Sequence, residues 1–331
     1  MGGDFAPQAT VAGALHALGA LDRAHSIQLV GRSAVIEEQL SLLLAGELSS
    51  LASHRDRIEI IDAPDVVDMG ERPTVVLKRP KSSMAMGIAL QCDGRSDGFV
   101  SAGNTGAQMA ASVMLLKLHA GLKRPAICTI FPSALDPVVV LDSGANVDCS
   151  AEELVQFARL GAVYAEDMLG RANPSIGLLS IGEEAEKGNA VVKEANQLLR
   201  TAGLNFQGNV EGRDLPAGAS DRGPIDVVIC DGFVGNVLLK FYEALGPVIM
   251  AKLTGRAGVD QAELADVFKE LDYSEHGGAP LLGVRGVSII AHGKSSPRAI
   301  ASAVRVAVRA VESRMTEHIG RRLAGDAASA A

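Results

Sequence analysis

Short apolar segments alternate with longer helical patterns along most of this 331-residue chain, and this alternation limits the possible folds more than any other feature. Several apolar segments are continuous runs, such as the VVVL of Val138–Leu141, rather than residues that alternate with polar ones. Continuous runs are typical of parallel strands whose two faces are both covered by helices. The chain is therefore predicted to be an α/β protein with a largely parallel sheet.

The same pattern places the individual elements. Two helix starts carry a further signal: Ser150 precedes Glu153 by three residues, as in a capping box, and Pro297 follows Ser296 at a position where its missing N–H costs nothing. Helices are predicted at 33–45, 105–118, 151–169 and 184–201, and a last one from Ser296 onward. Strands are predicted at 26–30, 58–61, 98–101, 126–130, 138–141, 176–181, 227–230 and 287–291.

Composition and charge exclude several classes of protein. Hydrophobic residues make up 47% of the chain, which is too many for a disordered protein. The net charge of −8 argues against broad electrostatic capture of nucleic acid or anionic lipid. The four cysteines have no paired spacing, so neither a zinc site nor a disulfide framework is expected. No segment has the roughly 18 uninterrupted apolar residues of a spanning helix, and a cytoplasmic protein is expected.

Glycine and short polar residues follow four of the predicted strands. Because ligands of open α/β sheets bind beyond the carboxyl ends of the strands, these loops are the candidate binding site. Glycine lets backbone N–H groups approach a ligand, and a helix N-terminus favours an anion. Both Gly and Asn are also ordinary turn residues, so one loop proves little, whereas four together favour an anion-binding crevice. The polar residues are Asn104 and Thr105, then Asp142, Asn146 and Asp148, then Glu183, Glu184 and Lys187, and finally Asp231 and Asn236.

The common nucleotide and hydrolase motifs are absent from the sequence. It contains neither the G-x-G-x-x-G of dinucleotide-binding proteins nor the G-x-x-x-x-G-K-[ST] of P-loop proteins. It also lacks the G-x-S-x-G of serine hydrolases and the H-E-x-x-H of zinc proteases. An anion is therefore expected to be held by a different arrangement.

Seven sequence blocks, in order from the first residue to Gly293, carry a resemblance to a known family. They are MGGDFAP at 1–7, SAGNTGA at 101–107, LDSGANVDC at 141–149, SIGEE at 180–184 with Lys187 and Gly188, DGFVGN at 231–236, GGAPLLG at 277–283, and HG at 292–293. With these blocks the chain resembles the PlsX family, the acyl-[acyl-carrier-protein]:phosphate acyltransferases of bacterial phospholipid synthesis. Several uncommon strings in one fixed order make the resemblance highly specific.

The resemblance implies a reaction and a fold. Inorganic phosphate attacks the thioester of an acyl chain on acyl carrier protein, which gives acyl phosphate and the free carrier thiol. The fold implied is a layered, Rossmann-like one similar to the isocitrate and isopropylmalate dehydrogenases, and the chemistry is similar to that of phosphate acetyltransferases. The family's members are homodimers that can associate peripherally with membrane, and their product is used by a glycerol-3-phosphate acyltransferase. No cofactor and no metal are implied.

The resemblance also assigns roles to residues. Lys187 is expected to neutralise charge on the phosphate or oxyanion, and Asn236 is expected to donate a hydrogen bond to the oxyanion. His292 is expected either to relay a proton or polarise the thioester, or to serve only as a strand-end residue bonded to backbone. The residues expected to seat the phosphate, or to orient those that do, are Gly3, Asp4, Asn104, Thr105, Gly106, Asn146, Asp148, Asp231 and Gly235.

Acyl carrier protein is acidic, so a local basic surface is expected on this acidic chain. The densest basic segment is formed by Lys78, Arg79 and Lys81, which is therefore the candidate docking site, although such a run can also be a solvated face.

Two departures from the family pattern stand out. The pattern places a hydrophobic strand just before MGGD, so the sheet is expected to lack its first strand in this sequence. The segment 241–271, a predicted helical hairpin, is shorter and less hydrophobic than the family's membrane-docking hairpin, and it is expected to form either a membrane contact or a dimer contact. One catalytic domain is predicted over 1–325, with a frayed tail at 326–331.

Two other functions remain open from the sequence. A metal- and NAD-dependent decarboxylating dehydrogenase of the same fold would bind nicotinamide nucleotides. A non-catalytic scaffold of phospholipid synthesis would bind the carrier protein without turnover.

Overall fold

The computed structural model describes residues 1–254 and 277–329 of the chain. By its internal contacts the chain divides into two compact units. In the described part, the first unit comprises residues 1–118 and 277–316, and the second comprises residues 119–254 and 317–329. Most of the predicted hairpin, from residue 255 to 271, lies outside the described residues, as do the last two residues of the predicted tail.

The first unit contains two small groups of strands covered by helices. Strands β1 and β2 pair in parallel, β3 pairs in parallel with β13, and β13 pairs antiparallel with β12. The strands are β1 (Ile27–Gly31), β2 (Ile58–Asp62), β3 (Gly98–Ser101), β12 (Ala279–Leu282) and β13 (Val287–Ile290). The helices are α1 (Gln8–Ala20), α2 (Ser33–Ala45), α3 (Ser83–Cys92), α4 (Thr105–Leu115) and α9 (Pro297–Glu312), with 3-10 helices at Ser49–Arg57 and Pro73–Lys78.

Helix α1 packs closely against α9 in this unit. Gly13 of α1 faces Ile300 of α9, and a Cβ atom on Gly13 would lie only 2.5 Å from the Cβ of Ile300. Leu15 and Leu18 of α1 are completely buried beside Leu40 of α2. Glycine at position 13 therefore permits the short distance between α1 and α9. Leu15 and Leu18 of α1 form a core together with Leu40 of α2.

A cavity of about 340 Å³ lies between β1 and β3 within the first unit. Residues of both strands line it, together with Met84 of α3 and Ile300 and Val304 of α9. Among the described strands, β1 pairs only with β2, and β3 pairs only with β13. Each of the two strands therefore has one edge without a strand partner, and both strands border the same space.

The second unit is built around a five-stranded sheet in the order β5-β6-β11-β7-β8. Strand β5 is antiparallel to β6, and the other neighbouring pairs are parallel. The strands of the unit are β4 (Ala126–Ile127), β5 (Thr129–Phe131), β6 (Val138–Leu141), β7 (Ile176–Leu179), β8 (Phe206–Val210), the short hairpin β9 (Ala219–Ser220) and β10 (Gly223–Pro224), and β11 (Val227–Ile229). The helices are α5 (Ala151–Leu169), α6 (Ala190–Leu199), α7 (Asp214–Ala217), α8 (Gly232–Leu253) and α10 (Met315–Ser329), whose first two residues belong to the first unit.

The central strands of this sheet are buried on both faces, as the apolar runs predict. All four residues of β6 and all three of β11 are buried. Helix α5 begins at the predicted capping box, in which the Ser150 hydroxyl accepts from the N–H of Glu153 and the Glu153 carboxylate accepts from the N–H of Ser150. Gly161 of α5 packs on the Val227 side chain of β11. The helix therefore covers one face of the sheet and has a fixed start.

The predicted mixture of helices and parallel strands is confirmed, with differences in detail. The predicted helices 33–45 and 151–169 and the predicted strands 98–101 and 138–141 have the observed bounds. The predicted strand 126–130 is two short strands, β4 and β5, and the predicted helix 184–201 begins only at Ala190. Among the elements that the sequence pattern did not predict are α1, α3, β8 and β12, together with the short α7, β9 and β10, the two 3-10 helices and the last helix, α10.

Helix α8 is more apolar and more exposed than the sequence analysis expected. It is 22 residues long, and by length and composition it could cross a membrane. Only 6% of its most apolar 18-residue stretch is buried, whereas the core helix of a globular domain is mostly buried. Its exposed apolar side chains, spaced three, four or one residues apart and together called the α8 stripe, are Phe233, Val237, Phe241, Leu245, Val248 and Ile249.

Candidate active site

Three of the predicted loops lie side by side in the second unit. Strands β6, β11 and β7 are adjacent and parallel, so their carboxyl ends share one edge of the sheet. The loop 142–149 follows β6, the loop 180–189 follows β7, and Asp231 with the first turn of α8 follows β11. This edge therefore brings together Asn146, Asp148, Lys187, Asp231 and Asn236, as the sequence analysis expected.

The carboxylate of Asp142 is the centre of the loop after β6. Its Oδ1 accepts from the backbone N–H groups of Ile127 at 2.9 Å, Ala145 at 3.1 Å and Gly144 at 3.3 Å. Its Oδ2 accepts from the backbone N–H of Asn146 at 2.6 Å and from the Asn146 side-chain amide at 2.9 Å. Burial raises the pKa of Asp142, and hydrogen bonds from Ala145, Ile127 and Asn146 oppose that shift. The protein's own carboxylate thus occupies the concavity formed by these N–H groups.

The same loop is in tight contact with the first turn of α8. The carbonyl oxygen of Asn146 accepts from the N–H of Gly232 at 2.8 Å. A Cβ atom on Gly235 would lie 1.9 Å from the Asp142 carbonyl oxygen, so only glycine fits there. The space next to Gly144 is bordered by Asn236, whose Oδ1 is 3.5 Å from where a Gly144 Cβ would lie. Loop and helix therefore hold each other in a fixed register.

Asn236 and Lys187 have polar groups available to a ligand. Both residues are exposed, and neither side chain hydrogen-bonds or pairs with another residue in the described part of the chain. The loop that carries Lys187 is held by other residues: the Asn209 amide donates to the Glu184 carbonyl oxygen at 2.8 Å, and Asn189 caps α6 by accepting from the Val192 N–H. An amide and an ammonium group are thus presented from firmly anchored backbone.

The other predicted residues of the second unit have different surroundings. The side-chain amide of Asn146 donates to Asp142 and to the Pro125 carbonyl oxygen at 2.7 Å, and the residue is 5% exposed. Asp231 caps α8 through the Val234 N–H at 2.8 Å. Asp148 is exposed on the loop after β6. Asn146 and Asp231 therefore stabilise the loops in this structure.

A second group of predicted residues lies in the first unit. The Asn104 amide donates to the carbonyl oxygens of Asp68, Met69 and Glu71, and its Oδ1 caps α4 by accepting from Ala107 N–H at 2.9 Å. Thr105 and Gly106 form the first turn of α4. Asn104 therefore ties the glycine-rich turn to the loop 68–71 and has no amide hydrogen left for a phosphate.

The N-terminal block contacts the His292 segment in this unit. Asp4 donates its backbone N–H to the Gly293 carbonyl oxygen at 2.9 Å, and Gly3 packs against the Ala102 and Gly293 carbonyl oxygens. His292 is exposed, and its Nδ1 accepts from the Lys294 N–H at 3.2 Å. The other ring nitrogen, Nε2, has no hydrogen-bond partner among the described residues.

The basic segment at 78–81 contains one arginine that is already paired. Both terminal nitrogens of Arg79 bond the Glu71 carboxylate at 2.7 Å, and one of them also donates to the Val66 carbonyl oxygen. Hydrogen bonds from the Asp68 N–H and from Arg79 lower the pKa of Glu71. Lys78 and Lys81 are exposed. Arg79 therefore anchors the loop 68–71, and the free charge of the segment belongs to the two lysines.

Neither metal-binding side chains nor a reactive thiol stands out. Within residues 1–254 and 277–324, no three His, Cys, Asp or Glu side chains are grouped so as to hold a metal ion. Cys128 and Cys230 are buried, and burial raises the pKa of both thiols. Burial likewise raises the pKa of Cys149 to about 12. These thiols are protonated near neutral pH and are poor nucleophiles.

Sequence reasoning missed two residues of the site. Asp142 was noted only as one of several turn acids, although it follows a wholly apolar strand, which is a signal of burial. Ser180, in the loop after β7, has a buried hydroxyl without a hydrogen-bond partner among the described residues, and it faces Gly188.

Comparisons with known proteins agree on the family. A family model described as "Fatty acid synthesis protein" matches residues 1–318. A phosphate acyltransferase of Moorella thermoacetica is 42% identical over 97% of this chain and 93% of its own length. Those of Desulfitobacterium hafniense strain Y51 and Salinibacter ruber are 44% and 46% identical, over 98% and 92% of this chain and 95% and 90% of their own lengths.

Two solved structures with a similar fold are those of phosphotransacetylases. The enzyme from Streptococcus pyogenes has a TM-score of 0.59 and 16% identity, over 93% of this chain and 99% of its own. The EutD phosphotransacetylase from Staphylococcus aureus has a TM-score of 0.55 and 15% identity, over 91% and 99% of the two chains. At such low identity these matches show the fold alone. The family model and the curated relatives at 42% to 46% identity show more: the chain belongs to the fatty acid synthesis protein family, the PlsX family that its motifs indicate.

Proposed function

We propose that this chain is a phosphate acyltransferase that transfers a fatty acyl group from acyl carrier protein to inorganic phosphate. The observation that carries the proposal is the presence of an unpaired amide and an unpaired ammonium at one edge of the sheet: Asn236 lies near the start of α8, which follows β11, and Lys187 lies on the loop after the adjacent strand β7. Relatives named phosphate acyltransferase at more than two fifths identity support it.

The chemistry needs positioning more than a covalent nucleophile. A phosphate oxygen attacks the thioester carbonyl carbon, the carbonyl oxygen becomes an oxyanion, and the C–S bond breaks as the carbonyl re-forms. The sulfur leaves as a thiolate, which takes up a proton to give the carrier thiol. Phosphate is an anion near neutral pH and thiolate is a good leaving group, so the enzyme mainly aligns the reactants and stabilises the oxyanion.

In this mechanism the two unpaired groups have distinct roles. The Asn236 amide N–H donates to the oxyanion, and the Lys187 ammonium attracts phosphate and reduces the repulsion between it and the developing charge. Asn146, Asp231 and Gly235 keep the second unit's loops in shape. In the first unit, taken by itself, Asn104 and Asp4 hold the glycine-rich turns that contain Gly106 and Gly3, and Thr105 and His292 are exposed.

The direct experiment mixes purified protein, acyl carrier thioester and phosphate. The free carrier thiol is measured in the untreated mixture, and acyl phosphate is first separated from the acyl carrier protein and then converted to a hydroxamate with hydroxylamine. Both products must form in equal amounts and only when phosphate is present. A protein that binds the carrier but releases neither product would be a scaffold, and the proposal would be wrong.

Substitution tests the two roles. Lys187→Ala and Asn236→Ala are expected to lower kcat by about 10² to 10³-fold each, because one oxyanion or anion contact contributes that much. Both side chains are exposed, so melting temperatures should stay near that of the unsubstituted protein. Lys193→Ala, an exposed lysine on α6, is the matched control and should retain activity. If either folded variant turns over substrate at a near-normal rate, the role proposed for the substituted residue is wrong.

We propose that acyl carrier protein docks on Lys78 and Lys81. Both lysines are exposed, whereas the charge of Arg79 is compensated by Glu71. Reversal of both charges, Lys78→Glu with Lys81→Glu, is expected to raise KM for the carrier substrate several-fold with kcat unchanged, and the effect should shrink at high salt. Arg298→Glu on α9 is the control for a reversed exposed charge. An unchanged KM would exclude this surface.

The α8 stripe supports a homodimer contact or peripheral membrane contact, the two associations that the family resemblance implies. An apolar stripe on an exposed helix is costly to leave in water. Sedimentation with and without vesicles distinguishes the two associations, and Phe241→Glu should weaken whichever one forms. The acyl phosphate product would then pass to a glycerol-3-phosphate acyltransferase. A protein that sediments as a monomer and does not bind vesicles would exclude both contacts.

We further propose that the dehydrogenase-like fold is completed by one more parallel strand between β1 and β3. The open edges of both strands face the cavity there, and strands in a sheet lie about 4.8 Å apart, so an inserted strand would satisfy both edges. The Met1 side chain also lines this cavity and packs against Gly31 at the end of β1. A five-residue Val- and Ile-rich extension before Met1 should raise the urea midpoint of unfolding, and a proline-containing extension should not. Equal midpoints would contradict the proposal.

A further inference from the structure

Asp142 is the most completely satisfied buried acid of the second unit, yet the mechanism above gives it no role. It has no exposed surface and accepts five hydrogen bonds, four of them from backbone N–H groups. Three of those four N–H groups belong to consecutive residues, Gly144, Ala145 and Asn146. A carboxylate surrounded by donors in this way fixes the path of the chain around it.

The concavity in the loop after β6 is already occupied by a carboxylate of the protein. Successive backbone N–H groups in a glycine-containing turn form an anion-binding concavity, and such a turn was expected to approach the phosphate. Here the Asp142 carboxylate occupies that position. The loop after β6 therefore does not bind phosphate through these N–H groups, and its internal anion gives it a single defined shape instead.

That shape matters because the loop supports the turn that carries Asn236. The Asn146 carbonyl oxygen accepts from Gly232, the Asp142 carbonyl oxygen closely approaches Gly235, and Gly144 lies beside Asn236. Two of these contacts join a residue that the carboxylate holds, Asn146 or Gly144, to the N-terminal residues of α8, and the third joins the backbone of Asp142 itself to Gly235. A shift of the loop would be passed directly to Asn236.

We propose that Asp142 is the positioning residue of the acyl transfer: through the loop 143–146 its carboxylate holds the first turn of α8 so that the Asn236 amide meets the oxyanion. The expected effect of Asp142 on kcat rests on the proposed function. Its effect on the position of the first turn of α8 rests on geometry alone. Asp142 touches neither substrate nor oxyanion.

The kinetic test uses Asp142→Asn. The substitution keeps the shape of the side chain but places an NH₂ group against the N–H donors, so some of the five hydrogen bonds are lost and the loop must move. A displacement of about 1 Å at a reacting group costs on the order of 10²-fold in rate. We therefore expect kcat to fall about 10 to 100-fold, with KM for the carrier substrate changed less than about threefold.

A matched control separates this effect from loss of any buried carboxylate. Asp214 is also buried in the second unit, and its Oδ2 accepts from the Glu211 N–H at 2.7 Å, on a different loop. Asp214→Asn should leave kcat per folded molecule unchanged, whatever its effect on the melting temperature. Equal kcat losses in the two variants would reduce Asp142 to a general structural role and overturn the proposal.

Two further measurements keep the proposal testable if turnover or folding fails. Hydrogen exchange of Asp142→Asn should be faster in residues 143–146 and in the first turn of α8, and unchanged elsewhere; unchanged exchange in both segments would overturn the proposal. Asp142→Ala leaves a space that formate fits, and formate at tens of millimolar should restore part of kcat, whereas acetamide should not. If the unsubstituted protein makes no acyl phosphate, the proposed function fails, and the exchange result still decides the positioning role.

Discussion

Replacing Gly235 by alanine adds a single methyl group at the contact between the first turn of α8 and the loop after β6. The new Cβ would lie 1.9 Å from the Asp142 carbonyl oxygen and 3.1 Å from the Cys230 sulfur. A carbon and a carbonyl oxygen normally approach to about 3.3 Å at the closest, so helix and loop must separate by roughly 1.4 Å. The Asp142 carbonyl belongs to the backbone and cannot rotate out of the way.

The expected losses of stability and of rate differ in size. Overpacking of this kind costs about 1–3 kcal/mol, and alanine regains about 1 kcal/mol over glycine within a helix, so the free energy of unfolding should fall by roughly 0–2 kcal/mol. Asn236 is the next residue, and a displacement of more than 1 Å should lower kcat by on the order of 10²-fold or more. The substitution is thus expected to lower kcat strongly while it changes the free energy of unfolding only modestly.

The assay measures both quantities on the same preparation. Acyl phosphate release gives kcat, and urea unfolding gives the free energy of unfolding. Gly19→Ala is the matched control, because it also lies in a helix, α1, and its Cβ would meet only the flexible end of Leu51 at 3.0 Å. That variant should retain kcat. Turnover by Gly235→Ala within about threefold of the unsubstituted protein would refute the claim that this contact positions Asn236.

Three further predictions concern other parts of the chain. Ser150→Ala removes the N-cap of α5 and should lower the free energy of unfolding by about 1 kcal/mol in urea titration, whereas an unchanged value would mean that the capping box contributes nothing. Maleimide should modify the exposed Cys92 first, and mass spectrometry should find buried Cys128 and Cys230 unmodified until the protein unfolds; early labelling of either would contradict their burial. Because the pKa of Cys149 is about 12, its labelling rate should rise about tenfold per pH unit between pH 7 and 10, and a rate independent of pH would contradict that value.

Elements with a strong local signal could be predicted from the sequence. The strand Val138–Leu141 has four apolar residues in a row, and α5 has a capping box at its start. Strand β12 was missed because its APLL sequence contains proline and is short. Helix α1 was missed because it is apolar on nearly every side and lacks the amphipathic period that marks a surface helix.

The site was predictable as a set of loops but not residue by residue. Asn104 and Asn146 have the same side chain as Asn236, yet their amides bond to the protein itself, whereas the Asn236 amide is exposed. Sequence cannot distinguish these cases, because an amide can donate to its own loop or to a ligand and the choice depends on long-range packing. Asp142 was overlooked for the same reason: its donors come from the fold of the loop around it.

Helix α8 carries both the proposed oxyanion donor Asn236 and the α8 stripe, and it contains Pro247 in its interior. Its first turn carries Asn236, and Ile249, near its other end, lies 13 residues further along, or about 20 Å at 1.5 Å per residue. A tilt of a few degrees over that length would move the far turn by about an ångström, and Pro247, which lacks the backbone N–H of an ordinary helical residue, is the point at which the helix can bend. If the proposed roles hold, a partner that covers the stripe and prefers one tilt should shift Asn236, and that partner and a bound acyl substrate should change each other's binding affinity by the same factor.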